Sequence, residues 1–273
     1  MTQPSASPPV SSFRPASGWQ FDAAPPVAPR SVARDVVSPV AVSLAIVGLL
    51  LHGLQGVVTV APFVELDAAV VLRVLAIWAP TVVLISLGLA VASRSTPLAG
   101  TMTVLTVATA ALIAVFGVLG SIAWWESLAI VPVLIALVGG ALAWIGITTG
   151  RAALDLVGLI VVVGAVVLHA LLVVVSPLAS GRIADVGAFA INGIPVQVLG
   201  VAAIVACAVA RTSRTAVVAT AVVLMVLALG ILVGPLVTAV GSVEPNVGVL
   251  VVTVVRVVLI ALGGALLLRT ARR

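Results

Sequence analysis

Two histidines and one deeply placed arginine are the residues of this chain most able to do chemistry. His52 and His169 are its only histidines, and each lies inside a long apolar run. Arg256 lies nine residues into the last apolar run. If these runs cross a membrane, an arginine at a helix centre costs about 2.5–3.5 kcal/mol to insert. We therefore predict that Arg256 faces the bundle interior, a water-filled cavity or backbone carbonyls of neighbouring helices.

Three kinds of chemistry fit the histidines. The first is a proton or substrate site, because an imidazole changes charge near physiological pH. The second is coordination of one b-type haem by His52 and His169, which requires both rings to face one cavity. The third is structural, with each imidazole bonded to the backbone of a neighbouring helix. For Arg256 the alternatives are a site for an anion or carboxylate and a hydrogen-bonding anchor between helices.

Polar residues in the sixth apolar run extend the candidate site. Asn192 and Gln197 flank Gly193 and Pro195, and this combination predicts an interruption of the helix. Interrupted membrane helices often border binding sites. The predicted substrate or proton site therefore comprises His52, His169, Arg256, Asn192 and Gln197.

No motif in the sequence indicates an enzyme. The sequence contains no HExxH, no GxSxG and no phosphate-binding glycine loop. A single cysteine, Cys207, allows no internal disulfide. With two histidines the chain has too few ligands for a cluster of metal ions. We expect a non-enzyme without a metal or cofactor, with haem as the one cofactor worth a test.

The composition indicates that lipid, rather than water, surrounds these apolar runs. The 273 residues are 63% hydrophobic and 8% charged, with a mean hydropathy of +1.40, whereas soluble domains are about one quarter charged. So few charges could not cover a water-soluble surface of this size. The bias to Val, Ala and Leu, with Arg but no Lys, suggests a bacterial genome rich in GC.

Eight segments are long enough to cross the hydrocarbon core, which takes about 20 apolar residues per helix. Apolar residues run continuously in them rather than alternating, which favours helices over a membrane barrel. We predict an all-α integral membrane bundle with spans at Val40–Val60, Ala69–Ala92, Leu98–Ile122, Ser127–Ile147, Leu156–Val175, Val186–Ala210, Ala216–Val240 and Val247–Leu268.

The arginines predict the orientation of these spans. Ten of them fall in the amino-terminal tail, the even-numbered connections and the carboxyl end, whereas Glu65, Asp67, Glu126, Asp185 and Glu244 fall on the other side. Positive charge accumulates on the cytoplasmic side of membrane proteins. We therefore expect the protein in the plasma membrane, with both of its termini in the cytoplasm. The net charge of +5 follows from topology, and no nucleic-acid partner is expected.

The two halves of the sequence resemble each other. His52 and His169 lie 117 residues apart, and Pro80 and Pro195 lie 115 apart. The run VLIALVGGAL in the fourth span returns as VLIALGGAL in the eighth. We predict two parallel four-helix repeats, residues 39–150 and 151–273, related by an axis along the membrane normal.

Residues 1–38 carry seven prolines with many Ser and Ala, which predicts a disordered cytoplasmic tail. The leading functional hypothesis is a transport or permease-like protein with its site between the two repeats. The alternative is a membrane assembly or scaffold subunit that recruits a protein partner through the tail. A redox protein with haem between the two histidines is the third.

Overall fold

The chain forms an all-helical bundle. A computed structural model describes residues 32–179, 194–210, 214–241 and 246–272. Within these ranges every regular element is a helix. The helices are α1 (Val32–Val60), α2 (Ala68–Ala92), α3 (Thr96–Val118), α4 (Trp124–Ser127), α5 (Ile130–Thr149), α6 (Ala152–Ala179), α7 (Ile194–Val209), α8 (Arg214–Gly241) and α9 (Val247–Arg272).

Seven of the described helices are long and apolar enough to cross a membrane, which supports the prediction of a multi-pass membrane protein. The described part of the sixth predicted span is the shorter α7, 16 residues long, or ~24 Å at 1.5 Å per residue. Pro195 lies in the first turn of α7, where its missing N–H would be unpaired in any case. Asn192 and Gly193 lie outside the described residues.

Contacts between helix ends show that the chain crosses once more between α6 and α8. Asn246, before α9, donates to the carbonyl of Val58 at the end of α1. Arg214, the first residue of α8, donates to the carbonyl of Ala271 at the end of α9. Arg94, after α2, pairs with Asp155 in the first turn of α6. These pairings put the end of α6 and the start of α8 on opposite faces, so the stretch containing α7 must traverse the bundle.

Helix α2 is central to the bundle. Most of its second half is buried, and it packs against α1, α3, α5, α6 and α7. Asp67 begins the helix by accepting a hydrogen bond from the Val70 amide at 2.7 Å. Asp67 is therefore the cap of α2.

Small residues set the closest helix contacts, as expected where lipid provides no hydrophobic drive between helices. A methyl group on Gly48 of α1 would lie 2.9 Å from the Arg256 carbonyl oxygen of α9. A methyl group on Gly200 of α7 would lie 2.6 Å from Ile85 of α2. One turn further along, Gly88 of α2 receives the side chain of Ile204 of α7.

Several helix boundaries differ from the sequence prediction, and the start of α1 and the end of α3 are two of them. The helix α1 begins at Val32, within the predicted tail, and contains Pro39. Residues 1–31 lie outside the described residues. The third span ends at Val118 instead of Ile122 because Gly120 turns the chain at φ 64°. Trp124 therefore belongs to the separate short helix α4, where the Glu126 carboxylate accepts from the Ala123 amide.

Candidate functional site

Arg256 is the most demanding residue of the bundle. It lies in α9 and is 2% exposed. Its Nε–H donates to the Gly48 carbonyl oxygen at 3.3 Å, and Nη1 donates to the side-chain oxygen of Gln55. Both acceptors belong to α1 and both are uncharged. The one ion pair found among the described residues joins Arg94 and Asp155, so no described carboxylate neutralises Arg256.

His52 lies beside this arginine. Its ring packs on Trp78 of α2, with ring centroids 5.1 Å apart and planes tilted by 51°. The imidazole also lies within electrostatic range of Arg256 and Gln55. Its Nδ1 atom is buried and has no hydrogen-bond partner in the described part of the chain. We call His52, Gln55, Trp78 and Arg256 the arginine cluster.

The arginine cluster lies at one depth. His52 is eight residues before the end of α1, Trp78 ten residues after the start of α2, and Arg256 nine residues after the start of α9. At 1.5 Å per residue these positions are ~12–15 Å from helix ends that share one face. The cluster is therefore close to the middle of a hydrocarbon core about 30 Å thick.

His169 belongs to a second group of polar residues. Its Nε2 atom lies 2.9 Å from the hydroxyl of Thr81 on α2. His169 is 5% exposed, and its Nδ1 atom has no partner among the described residues. This histidine bonds to a side chain, rather than to the backbone carbonyl that the structural hypothesis invoked. A haem between the two histidines would require Nε2 of His169 to leave Thr81.

Gln197 of α7 is a further buried polar residue that faces α2. It is 2% exposed, and its side-chain oxygen has no partner among the residues described. Gln197 precedes Gly200 and Ile204 by three and seven residues, so it shares the face of α7 that packs on α2. Thr81 precedes Ile85 and Gly88 by four and seven residues, so it shares the face of α2 that packs on α7. Thr81, Gln197 and His169 form the triad.

The triad and the arginine cluster are neighbours along α2. Trp78 contacts His52, and Thr81, one turn later, contacts His169. Residues three apart on a helix have Cβ atoms about 5–6 Å apart. The structure thus divides the predicted site residues into two adjacent groups, one with His52 and Arg256 and the other with His169 and Gln197. Asn192 is outside the described residues.

Sequence reasoning missed the residues on α2. Trp78 and Thr81 are ordinary members of an apolar span, and no spacing rule singled them out. The one available signal was that Thr81 directly follows Pro80, the residue matched to Pro195 in the second half. Gln55 is a polar residue in an apolar run, but its role as acceptor for Arg256 depends on the packing of α1 on α9.

A separate cleft lies on the arginine-rich face. It has a volume of about 120 Å³ and is lined by Arg94, Gly146, Ile147, Gly150, Ala152 and Asp155. Arg94 and Asp155 approach to 2.5 Å there, with side chains 48% and 4% exposed. The charge of Arg94 is thus already matched by a carboxylate, in contrast to that of Arg256.

Among the described residues no group of His, Cys, Asp and Glu is placed to hold a metal ion. No family model, curated protein or solved structure matches this chain. The function must therefore be argued from the two polar groups alone.

Proposed function

We propose that the chain is a transport or permease-like protein of the bacterial plasma membrane, with a site for an anionic group at the arginine cluster. One observation supports this most directly. Arg256 is buried in a membrane span, and its hydrogen-bond acceptors among the described residues are neutral. A buried charge without a counter-charge is costly, and an anionic ligand would offset that cost.

The guanidinium has donors left for such a ligand. It carries five N–H groups, and two of them bond to Gly48 and Gln55. The remaining three have no acceptor among the described residues. A carboxylate or a small inorganic anion can accept two N–H bonds from one arginine in a bidentate arrangement. His52 of the same cluster has a further buried polar atom, Nδ1, without a partner among the described residues.

The location favours a carrier over a static anchor. Both polar groups lie where helices of residues 39–150 meet helices of residues 151–273. The arginine cluster joins α1 and α2 to α9, and the triad joins α2 to α6 and α7. In transporters built from repeats, the site lies near the midplane between repeats that move against each other.

Matched close contacts support the proposed duplication. Gly263 of α9 lies against the Ala41 carbonyl of α1, and Gly139 of α5 lies against the Gly158 carbonyl of α6. Ala41 and Gly158 are 117 residues apart, as are the two histidines. Gly139 and Gly263 are each the first glycine of the Gly-Gly pair that follows VLIAL in the fourth and eighth spans. The contact between the fourth and fifth spans is thus repeated between the eighth and first, which a pseudo-two-fold axis would require.

Anion binding can be tested without a known substrate. Cys207 is a buried single thiol, so a thiol-reactive dye reports thermal unfolding of the purified full chain. We expect sodium acetate to raise the unfolding temperature of the wild type relative to equal concentrations of acetamide, a neutral molecule of the same shape. Arg256→Gln should abolish this rise, and Arg269→Gln, an exposed arginine of the same helix, should retain it. Equal responses in all three proteins would refute the anion site.

The scaffold and haem hypotheses lead to other outcomes. A scaffold that recruits a partner through its tail would lose its function in a deletion strain when residues 2–31 are removed, and would tolerate Arg256→Gln. A transporter would show the reverse. A haem protein would display a Soret band after expression with excess haem, and loss of that band in His169→Gln would identify the ligand.

A further inference from the structure

The triad contains two buried polar atoms that the protein leaves unused. They are Nδ1 of His169 and the side-chain oxygen of Gln197, and neither has a partner among the described residues. Both residues are at least 95% buried. An unpaired buried polar group costs about 1–3 kcal/mol. Such groups therefore indicate either a bound molecule that forms the missing hydrogen bonds or a feature that destabilises the fold.

The three residues of the triad lie at similar depth in the bundle. Ile85 contacts Gly200, and Thr81 and Gln197 precede these two residues by four and three positions on parallel helices. Their depths therefore differ by ~1.5 Å, the rise of one residue. Because Thr81 bonds to His169, all three side chains reach one layer of the bundle.

The two unpaired atoms favour hydrogen bonds to a neutral group of a ligand. The side-chain oxygen of Gln197 is an acceptor, and Nδ1 of a neutral histidine is a donor or an acceptor according to the tautomer. A hydroxyl group can donate to the oxygen of Gln197 and accept from Nδ1–H of His169. The triad itself contains no charged side chain, so a charged group would enter it without a counter-charge.

Two buried threonines bond differently from Thr81. The hydroxyl groups of Thr106 in α3 and Thr253 in α9 each donate a hydrogen bond to the carbonyl oxygen four residues earlier on their own helix. Thr81 instead bonds across to another helix. Its hydroxyl is therefore committed to orienting His169, which fixes the direction of the unused Nδ1.

We propose that the triad binds the neutral hydroxyl group of a small organic acid whose carboxylate is held at Arg256. This proposal rests on the proposed function, since it uses the arginine cluster as the anionic end of the site. The two ends contact α2 one turn apart, at Trp78 and Thr81, so a ligand with a short hydrocarbon segment between its polar groups suits their spacing. The ligand class is a short hydroxy acid.

The test compares two probes that differ by one hydroxyl, butyrate and 3-hydroxybutyrate. Apparent affinities come from the concentration dependence of the unfolding temperature of the full chain, read at Cys207. The wild type should bind 3-hydroxybutyrate at least about fivefold more tightly than butyrate, because the added hydroxyl makes two hydrogen bonds. Gln197→Leu and, separately, Thr81→Val should remove this preference while butyrate still stabilises both variants, and Thr106→Val should keep it.

Each outcome bears on one proposal. If Arg256→Gln abolishes stabilisation by both probes but the wild type binds them equally, the hydroxyl site is refuted and the anion site stands. If the preference persists in both Gln197→Leu and Thr81→Val, the hydroxyl is bound elsewhere and the triad is again refuted. If neither probe depends on Arg256, the anion site fails and the present proposal fails with it.

Discussion

A methyl group on Gly263 of α9 would lie 2.6 Å from the carbonyl oxygen of Ala41 in α1. This distance is shorter than any normal contact, so the two helix backbones touch at that point. The same relationship holds between Gly139 of α5 and the carbonyl of Gly158 in α6, at 2.9 Å. Interfaces of this kind tolerate no added atom, because a backbone carbonyl cannot move aside as a side-chain end can.

These contacts predict that Gly263→Ala and Gly158→Ala both destabilise the bundle. Overpacking of this type typically costs about 1–3 kcal/mol. Gly164→Ala in α6 is the matched control, since nothing lies within 4 Å of its added methyl group, and removing a helical glycine should stabilise the chain by about 0.5–1 kcal/mol. The unfolding temperature, read with the thiol-reactive dye, measures the stability of all three variants. Equal temperatures for Gly158→Ala and Gly164→Ala would contradict the close packing.

The contact between α2 and α7 predicts a compensating pair. Gly88→Ala would drive its methyl group into the Cδ1 atom of Ile204, so the unfolding temperature should fall. Ile204→Val removes that atom, so the double variant should be more stable than the sum of the two single changes predicts. A coupling energy below about 0.3 kcal/mol in this cycle would show that the two side chains do not meet.

Gln55 and Arg256 form a buried hydrogen-bonded pair in which only Arg256 is charged. Gln55→Leu leaves the guanidinium without its side-chain acceptor. Removing one partner of a buried ion pair lowers the free energy of unfolding by about 3–5 kcal/mol. We expect a smaller loss here because the acceptor is neutral. Replacing both residues, as Gln55→Leu with Arg256→Met, removes the unpaired charge as well. The double variant should therefore unfold at a higher temperature than Gln55→Leu alone. The opposite order would mean that Arg256 finds another acceptor.

Arg94 adopts a left-handed backbone conformation, with φ 54°, that usually favours glycine. Arg94→Ala keeps this strained conformation and loses the pairing with Asp155, whereas Arg94→Gly loses the pairing but relieves the strain. We expect the glycine variant to be more stable than the alanine variant by about 1 kcal/mol. Comparison of their unfolding temperatures provides the measurement, and a less stable glycine variant would refute the argument.

The proposed orientation can be tested with single cysteines in a Cys207→Ser background. Glu65 and Arg151 are both exposed and lie on opposite faces of the bundle. A maleimide that cannot cross membranes should label Glu65→Cys in intact cells, and should label Arg151→Cys after the cells are opened. Labelling of Arg151→Cys alone in intact cells would invert the orientation.

The sequence by itself determined that this is a multi-pass helical membrane protein and where its long helices lie. These properties are local, since about 20 consecutive apolar residues are enough to define a span. It also identified His52, His169, Gln197 and Arg256 as unusual, because a polar group in an apolar run stands out without knowledge of its neighbours.

Only the tertiary structure decided which of these residues meet. The partners of Arg256 are 201 and 208 residues away in sequence, and His169 bonds to a threonine 88 residues away. Such pairings depend on how each helix is rotated and paired, which hydropathy does not specify because every face of these helices is apolar. Glycines and alanines that let two backbones touch fix the rotation, and that contact exists only in the folded bundle.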